Sequence, residues 1–245
     1  MKILKTIFAF IWALWGFSWF MLVVSIFTVV YALVLGIRGK KFVRQCIWIN
    51  CHYLSPFLMK VMCLQLITHK NKNVLPEETY VFVANHRAQV DIIAGASALP
   101  QPVKFLAKAE IKFIPFFGFM VKMLAIMVDR KSKESREKSM QYMVNELHTG
   151  NSIFIYPEGT RNRTDALLKD FKDGAFKLAI MAQVPIVVQT LKGTREINDP
   201  RGIHLLPGNV EVYFSNPIST KGMTAADVPA LKETARLEML KHLMN

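Results

Sequence analysis

The chain has 245 residues, of which 52% are hydrophobic, and carries a formal net charge of +13. That length holds a membrane segment and one sizeable domain. The charge favours anionic partners such as phospholipid headgroups, acidic carrier proteins and phosphorylated substrates. Nucleic acid is disfavoured, because there is no C-x2-C zinc pattern, no aromatic strand of the RNA-reader kind and no tight basic block. Cys46, Cys51 and Cys63 all lie in the apolar N-terminal part. Their odd number and spacing fit neither a disulfide framework nor a metal site. They read as small apolar filler in a reducing, cytoplasmic setting.

Ile7 to Ile37 contains no charged residue. As one helix it would run about 46 Å, against about 30 Å for a hydrocarbon core. It therefore spans with tilt, bends at Gly16 into a shorter pair, or lies in one leaflet. The run is too long for a signal-peptide core and is expected to be retained. Arg38, Lys40, Lys41 and Arg44 follow it and outnumber Lys2 and Lys5 before it, which puts the C-terminal side in the cytoplasm. Trp12, Trp15, Trp19 and Trp48 suit interfacial positions. A second apolar stretch, Cys46 to Thr68, is broken by His52, Pro56 and Lys60 and reads as a helix lying in the interface. A polar boundary around Asn71–Glu78 divides a membrane-associated region, 1–68, from a globular domain, 69–245.

Within that domain Tyr80–Ala84 is predicted as a buried strand and Asp91–Leu99 as a short helix stopped by Pro100. Ser132–His148 is a helix with Met140, Met143, Val144 and Leu147 on one face, ended by Gly150. Strands follow at Ser152–Tyr156, Pro185–Thr190 and Val210–Phe214. Helices follow at Gly174–Gln183 and at Val228–Leu243, the latter with Asp227 as its cap. This alternation predicts an α/β domain, a mixed sheet flanked by helices, behind a membrane-anchoring helical segment.

Two motifs sit directly after predicted strands, where α/β sheets gather their ligands. The first is Asn85-His86-Arg87-Ala88-Gln89-Val90-Asp91. Histidine accepts a proton near neutral pH, and a carboxylate on its other ring nitrogen would fix the tautomer. Residues five apart lie about 140° apart on a helix, so the two meet only if His86 is in the loop and Asp91 starts the helix. Spacing alone also fits two capping residues. No serine or cysteine nucleophile accompanies His86, so the nucleophile would be the substrate's own hydroxyl, with no covalent enzyme intermediate. The second motif is Tyr156-Pro157-Glu158-Gly159-Thr160-Arg161. Gly159 permits positive φ, and the planar fork of Arg161 suits phosphate oxygens or, equally, a solvated surface turn. Lys108 and Arg130 are further cations that read as easily as surface charges. Together the motifs describe deprotonation of a hydroxyl on a phosphorylated substrate, and the apolar N-terminus suggests a lipid.

Four blocks in order resemble the lysophosphatidic acid acyltransferases, the PlsC-like branch of the glycerolipid acyltransferases. Asn85-His86 through Asp91 resembles the family's N-H-x4-D block, and Met127-Val128-Asp129-Arg130 the end of its second. Pro157-Glu158-Gly159-Thr160-Arg161 matches the third, followed by Phe171 to Phe176, and Val184-Pro185-Ile186-Val187 resembles the fourth. The resemblance covers about Val81 to Gln189. Leu124, Met127, Tyr156 and Val188 differ from the residues usual there. It implies that His86, oriented by Asp91, deprotonates the sn-2 hydroxyl of 1-acyl-glycerol-3-phosphate, which attacks the thioester of acyl-carrier protein or acyl-CoA to give phosphatidic acid. It implies a phosphate site of Lys108, Arg130, Glu158, Gly159, Thr160 and Arg161, with Glu158 and Gly159 shaping the turn, and neither metal nor cofactor. Anionic membrane lipids would be partners, at the cytoplasmic face of the inner or plasma membrane. Another lysolipid acceptor, or a non-catalytic lipid-binding protein, are the competing expectations.

Overall fold

A computed structural model describes residues 2–129 and 132–244. Its elements, in chain order, begin with α1 (Lys2–Arg38), a 3-10 turn (Lys40–Phe42), α2 (Val43–Ile49), a π turn (Asn50–Leu54) and α3 (Ser55–Val61). Next come β1 (Leu64–His69), β2 (Val81–Ala84), α4 (Asp91–Ala98), β3 (Val103–Lys108), a 3-10 turn (Ala109–Phe113), α5 (Phe117–Leu124) and β4 (Ile126–Val128). The chain finishes with α6 (Lys133–His148), β5 (Ser152–Ile155), α7 (Gly174–Ala182), β6 (Ile186–Lys192), α8 (Thr194–Ile197), β7 (Gly208–Phe214), a 3-10 turn (Ala225–Asp227) and α9 (Val228–Leu243).

The seven strands form one mixed sheet in the order β1-β7-β6-β2-β5-β3-β4. From β6 to β4 all neighbours are parallel, while β7 runs antiparallel to β6 and carries β1 beside it. Period-2 alternation splits the apolar residues between two faces. Phe82, Ala84, Phe154 and Val187 face the layer of α1 to α5, and Val81, Val83, Ile153, Ile155 and Val188 face α6, α7 and α9. The central strands β2 and β5 are buried along their whole length, as expected of parallel strands covered on both sides. The five parallel strands bring the ends of β2, β5, β3 and β4 to one edge, and both sequence motifs begin there.

The helices and strands expected from the sequence are present, and their ends move by a few residues. Asp227 joins a capping box with Thr224 ahead of α9 and gives α9 no side-chain cap. Strands β1, β3 and β4 and helix α5 were not foreseen. Strand β1 begins inside the stretch expected to be one interfacial helix; that stretch is instead α2, the π turn, α3 and a sharp turn at Cys63 (φ 53°). The position dividing membrane region from globular domain, 68/69, falls inside β1. Gly16 is not a bend either, since α1 is one continuous helix. A Cβ on Gly16 would stand 2.8 Å from Leu205 Cδ2, so glycine serves a close approach to the domain.

Helix α1 is long and apolar enough to cross a membrane, yet one of its faces is fastened to the domain along most of its length. Leu205 N donates to Ala9 O (3.1 Å), Trp12 Nε1 to Met62 O (3.1 Å), Thr28 Oγ1 to Phe116 O (3.1 Å) and Tyr31 Oη to Asn50 Oδ1 (3.4 Å). Two of the tryptophans expected at an interface thus act as clamps, because Trp15 Nε1 also donates to Val61 O (3.4 Å).

Candidate active site

Strand β2 ends at Ala84, and the Asn85 side chain adds one further rung between β2 and β6. Its Nδ2 donates to Leu191 O and its Oδ1 accepts from Leu191 N, both at 2.8 Å. That rung lets the main chain leave the sheet at His86 with its buried backbone groups satisfied. Helix α4 starts at Asp91, which is fully buried. Its Oδ2 accepts from Arg87 N (2.6 Å), Ala88 N (2.7 Å) and His86 Nδ1 (2.9 Å). A carboxylate only accepts, so Nδ1 carries the proton. Nε2 of His86 has no partner among the described residues. The loop-then-helix arrangement needed to join residues five apart is therefore the one observed.

Strand β5 leads into Tyr156, whose ring stacks under His86 with centroids 4.1 Å apart. Tyr156 N-terminates a turn in which Gly159 N donates to Tyr156 O (3.0 Å) and Gly159 holds φ 76°, the left-handed conformation expected of it. Glu158 points back under the histidine loop. Its Oε1 accepts from His86 N (2.8 Å) and its Oε2 from Lys169 N (3.0 Å). Burial pushes its carboxyl above the ordinary range, and the two amides offset only part of that rise. Both oxygens are used and buried, so Glu158 braces the backbone of His86 and of Lys169. Asn162 N closes the same junction by donating to His86 O (2.6 Å), which sets Arg161 one residue from that bond.

Replacing Glu158 by Gln leaves one acceptor for two buried N–H donors and turns an amide N–H2 against the other. The expected cost is about 1–3 kcal/mol, read as a Tm lowered by about 5 °C in a thermal melt, together with slower turnover. An unchanged Tm would remove Glu158 from this supporting role.

Of the cations expected at a phosphate, Arg161 and Lys108 fall at the same edge in differing states. Arg161 is half-buried and makes no side-chain hydrogen bond or ion pair among the described residues. Lys108 ends β3, two strands from β2, with Nζ exposed and 3.1 Å from Glu110 Oε1. Thr160 Oγ1 is exposed and accepts from Lys169 Nζ (3.2 Å). Arg130 lies outside the described residues. Among the described residues no group of three or more His, Cys, Asp or Glu side chains is placed to hold a metal ion.

Several site residues escaped the sequence. Arg87 is buried, its side chain makes no hydrogen bond or ion pair among the described residues, its Nε is fully enclosed, and burial lowers its pKa from the ordinary arginine range. Asp91 Oδ1, Tyr156 Oη and Gln189 Oε1 are likewise buried without partners among the described residues. Burial raises the Tyr156 hydroxyl well above its usual range, and the charge of Asp91 adds to this. A Cβ built on Gly95 would stand 3.0 Å from Gln189 Oε1 and 3.6 Å from Tyr156 Oη, so two of these atoms border the space that Gly95 leaves open. The substitution of Tyr for the usual Phe at 156 was the one signal of this polar pocket.

A model of the family described as Acyltransferase matches residues 66–191. The 1-acyl-sn-glycerol-3-phosphate acyltransferase alpha of Mus musculus is 33% identical over 168 residues, 67% of this chain and 59% of that protein. The chain thus spans less than two thirds of that relative. The 1-acyl-sn-glycerol-3-phosphate acyltransferase of Saccharomyces cerevisiae is 28% identical over 218 residues, 88% of this chain and 71% of the other. The crystal structure of the 1-acyl-sn-glycerophosphate (LPA) acyltransferase PlsC from Thermotoga maritima shares the fold, with a TM-score of 0.79 over 97% of both chains at 17% identity. Both motifs at the sheet edge lie inside a family match that takes in more than half of the sequence, and the chain belongs to the acyltransferase family.

Proposed function

We propose that the chain transfers an acyl group from a thioester, carried on acyl-carrier protein or coenzyme A, to the sn-2 hydroxyl of 1-acyl-sn-glycerol-3-phosphate. The observation that carries this reading is the His86 imidazole, held through Nδ1 by buried Asp91 with Nε2 free at the strand edge. Nε2 takes the hydroxyl proton as the oxygen attacks the thioester carbon. The tetrahedral intermediate then expels the thiolate, which receives that proton from the imidazolium. The C–S bond is lost, a C–O bond is gained, and the enzyme returns unchanged. Arg161 supplies the fork for the substrate phosphate, with Lys108 adding charge from the end of β3, and the family resemblance adds Arg130 as a further cation.

The clamps on α1 support a monotopic seat. Ala9 and Tyr31 are separated by about 33 Å of helix, close to the thickness of a hydrocarbon core. A crossing helix would drag Met62, Phe116, Asn50 and their polar main chain into lipid. The exposed face, including Ile7, Ile11, Leu14, Phe17, Leu22 and Val29, instead lies in one leaflet. The basic residues after α1 set it on the cytoplasmic side, against anionic lipid.

The test is transfer of a labelled acyl group to 1-acyl-glycerol-3-phosphate and to 1-acyl-glycerol without phosphate. Transfer to the phosphorylated acceptor is expected to dominate; equal use of both, or transfer to neither, overturns the reading. Arg161→Lys keeps the charge and loses the fork, and is expected to raise KM for the acceptor about fivefold with little change in kcat. An unchanged KM would place the phosphate elsewhere.

A further inference from the structure

We infer that the 3-10 turn Ala109–Phe113 and helix α5 form a second lipid-inserting element, which seats the β3 side of the site at the headgroup layer of an anionic bilayer. The inference rests on the reading of the α1 outer face as lipid-facing. Between β3 and β4 the chain makes a compact hairpin whose outer surface is apolar: Phe113 is 75% exposed, Phe116 50%, Phe119 50% and Ile114 43%. These are not displaced core residues, since Gly118, Met120 and Leu124 already fill the inward side of α5. Four large apolar side chains within seven residues form a patch of the kind that marks an interaction site.

The hairpin is built to hold these side chains outward. A Cβ on Gly118 would stand 2.4 Å from Ile111 O and 2.6 Å from Lys112 O, so only glycine lets α5 close onto the preceding turn. Phe116 adopts φ 56°, ψ −57°, a backbone conformation that is costly for a bulky L-residue. Its carbonyl is fixed to α1 by Thr28 Oγ1, and the neighbouring Phe117 ring meets Phe20 of α1 with centroids 5.4 Å apart.

Two observations select a bilayer as the occupant. The patch continues the outer surface of α1, to which the hairpin is fastened, so lipid covering one reaches the other. Its polar border is net cationic: Lys112 and Lys122 are exposed, Lys112 Nζ lies 5.0 Å over the Phe113 ring, and the one carboxylate of the turn, Glu110, is paired with Lys108. Aromatic side chains with lysines at their rim suit the boundary between acyl chains and anionic headgroups. Lys108 directly precedes the turn, on the same side of the sheet edge as the expected phosphate site. Insertion of the hairpin would therefore hold the site at the depth where a lysolipid phosphate resides.

The experiment uses the full chain in a Cys63→Ser background, which removes the exposed cysteine. An environment-sensitive fluorophore is placed by Phe119→Cys and, as a control on the opposite layer, by Lys138→Cys. With vesicles of phosphatidylcholine and phosphatidylglycerol, the label at 119 is expected to shift to the blue and to be quenched by brominated acyl chains, and that at 138 to stay water-like. Separately, Phe113→Ser/Phe119→Ser is expected to lose about tenfold in rate on vesicle-embedded lysophosphatidate, while its rate on a water-soluble short-chain lysophosphatidate is kept. Vesicle binding with the label at 119 still in water overturns the hairpin and leaves α1 standing. Failure of the wild-type chain to bind vesicles overturns both. A blue shift that needs protein concentration and no lipid assigns the patch to a second copy of the chain and also overturns the inference. Equal loss on both substrates makes the two phenylalanines structural.

Discussion

His86→Ala is expected to lower kcat/KM for acyl transfer by about 10²–10⁴-fold, the range lost when a positioned general base is removed. The substitution takes away Nε2, the ring nitrogen that has no partner among the described residues, and little else of the frame. Arg87 N and Ala88 N still bind Asp91, Asn162 N still binds the carbonyl of residue 86, and Glu158 still binds its amide. The loop is therefore expected to keep its course, and lysophosphatidate binding to persist. The measurement is steady-state transfer of a labelled acyl group beside equilibrium binding of the acceptor. Retained turnover in the variant would sink the base assignment. A protein that only binds lipid would show binding in both forms and turnover in neither, which separates that class from the enzyme in the same assay.

What the sequence reveals and what it hides have distinct physical causes. Strands β2 and β5 were legible because both their faces are buried, which writes a continuous apolar run between polar ends. Strands β3 and β4 lie toward one side of the sheet, and β1 forms the opposite edge. Val103–Lys108 mixes two lysines into a half-buried pattern, and Ile126–Val128 is too short to show a period. Strand β1 was lost inside an apolar stretch whose hydrophobicity serves packing against α4 and β7 as well as the membrane side. The pairing of His86 with Asp91 was legible once the strand end fixed the start of the helix. The role of Glu158 was not, because a carboxylate beside Gly159 and Arg161 in sequence reads as part of one phosphate turn. Only the fold shows that it holds the backbone of His86 and Lys169. The orphaned atoms of Tyr156, just past β5, and of Gln189 in β6 have β2 between their strands, and no local pattern joins them.

Asp91→Asn is expected to lower kcat by about 10–10²-fold with the loop intact, and the reason lies in which oxygen is used. All three donors, His86 Nδ1, Arg87 N and Ala88 N, converge on Oδ2, while Oδ1 has no partner. The two backbone N–H groups can face only an acceptor, so the amide oxygen must take the Oδ2 position and the amide nitrogen the empty one. His86 Nδ1–H then keeps an acceptor and the imidazole keeps its tautomer. In the proposed mechanism, what is lost is the negative charge that would stabilise the imidazolium formed as the hydroxyl gives up its proton, and hydrogen bonds to charged groups are worth about 1.5–3 kcal/mol. Asp91→Ala differs in kind. It strips the acceptor from two buried N–H groups, at about 1–3 kcal/mol each, and releases the ring. The expected pair of results is a near wild-type Tm with reduced kcat and unchanged acceptor KM for Asp91→Asn, against a lowered Tm and a deeper loss for Asp91→Ala. If Asp91→Asn turned over like the wild type, the carboxylate charge would have no part in the proton transfer, and Asp91 would be a brace for the Arg87–Ala88 turn alone.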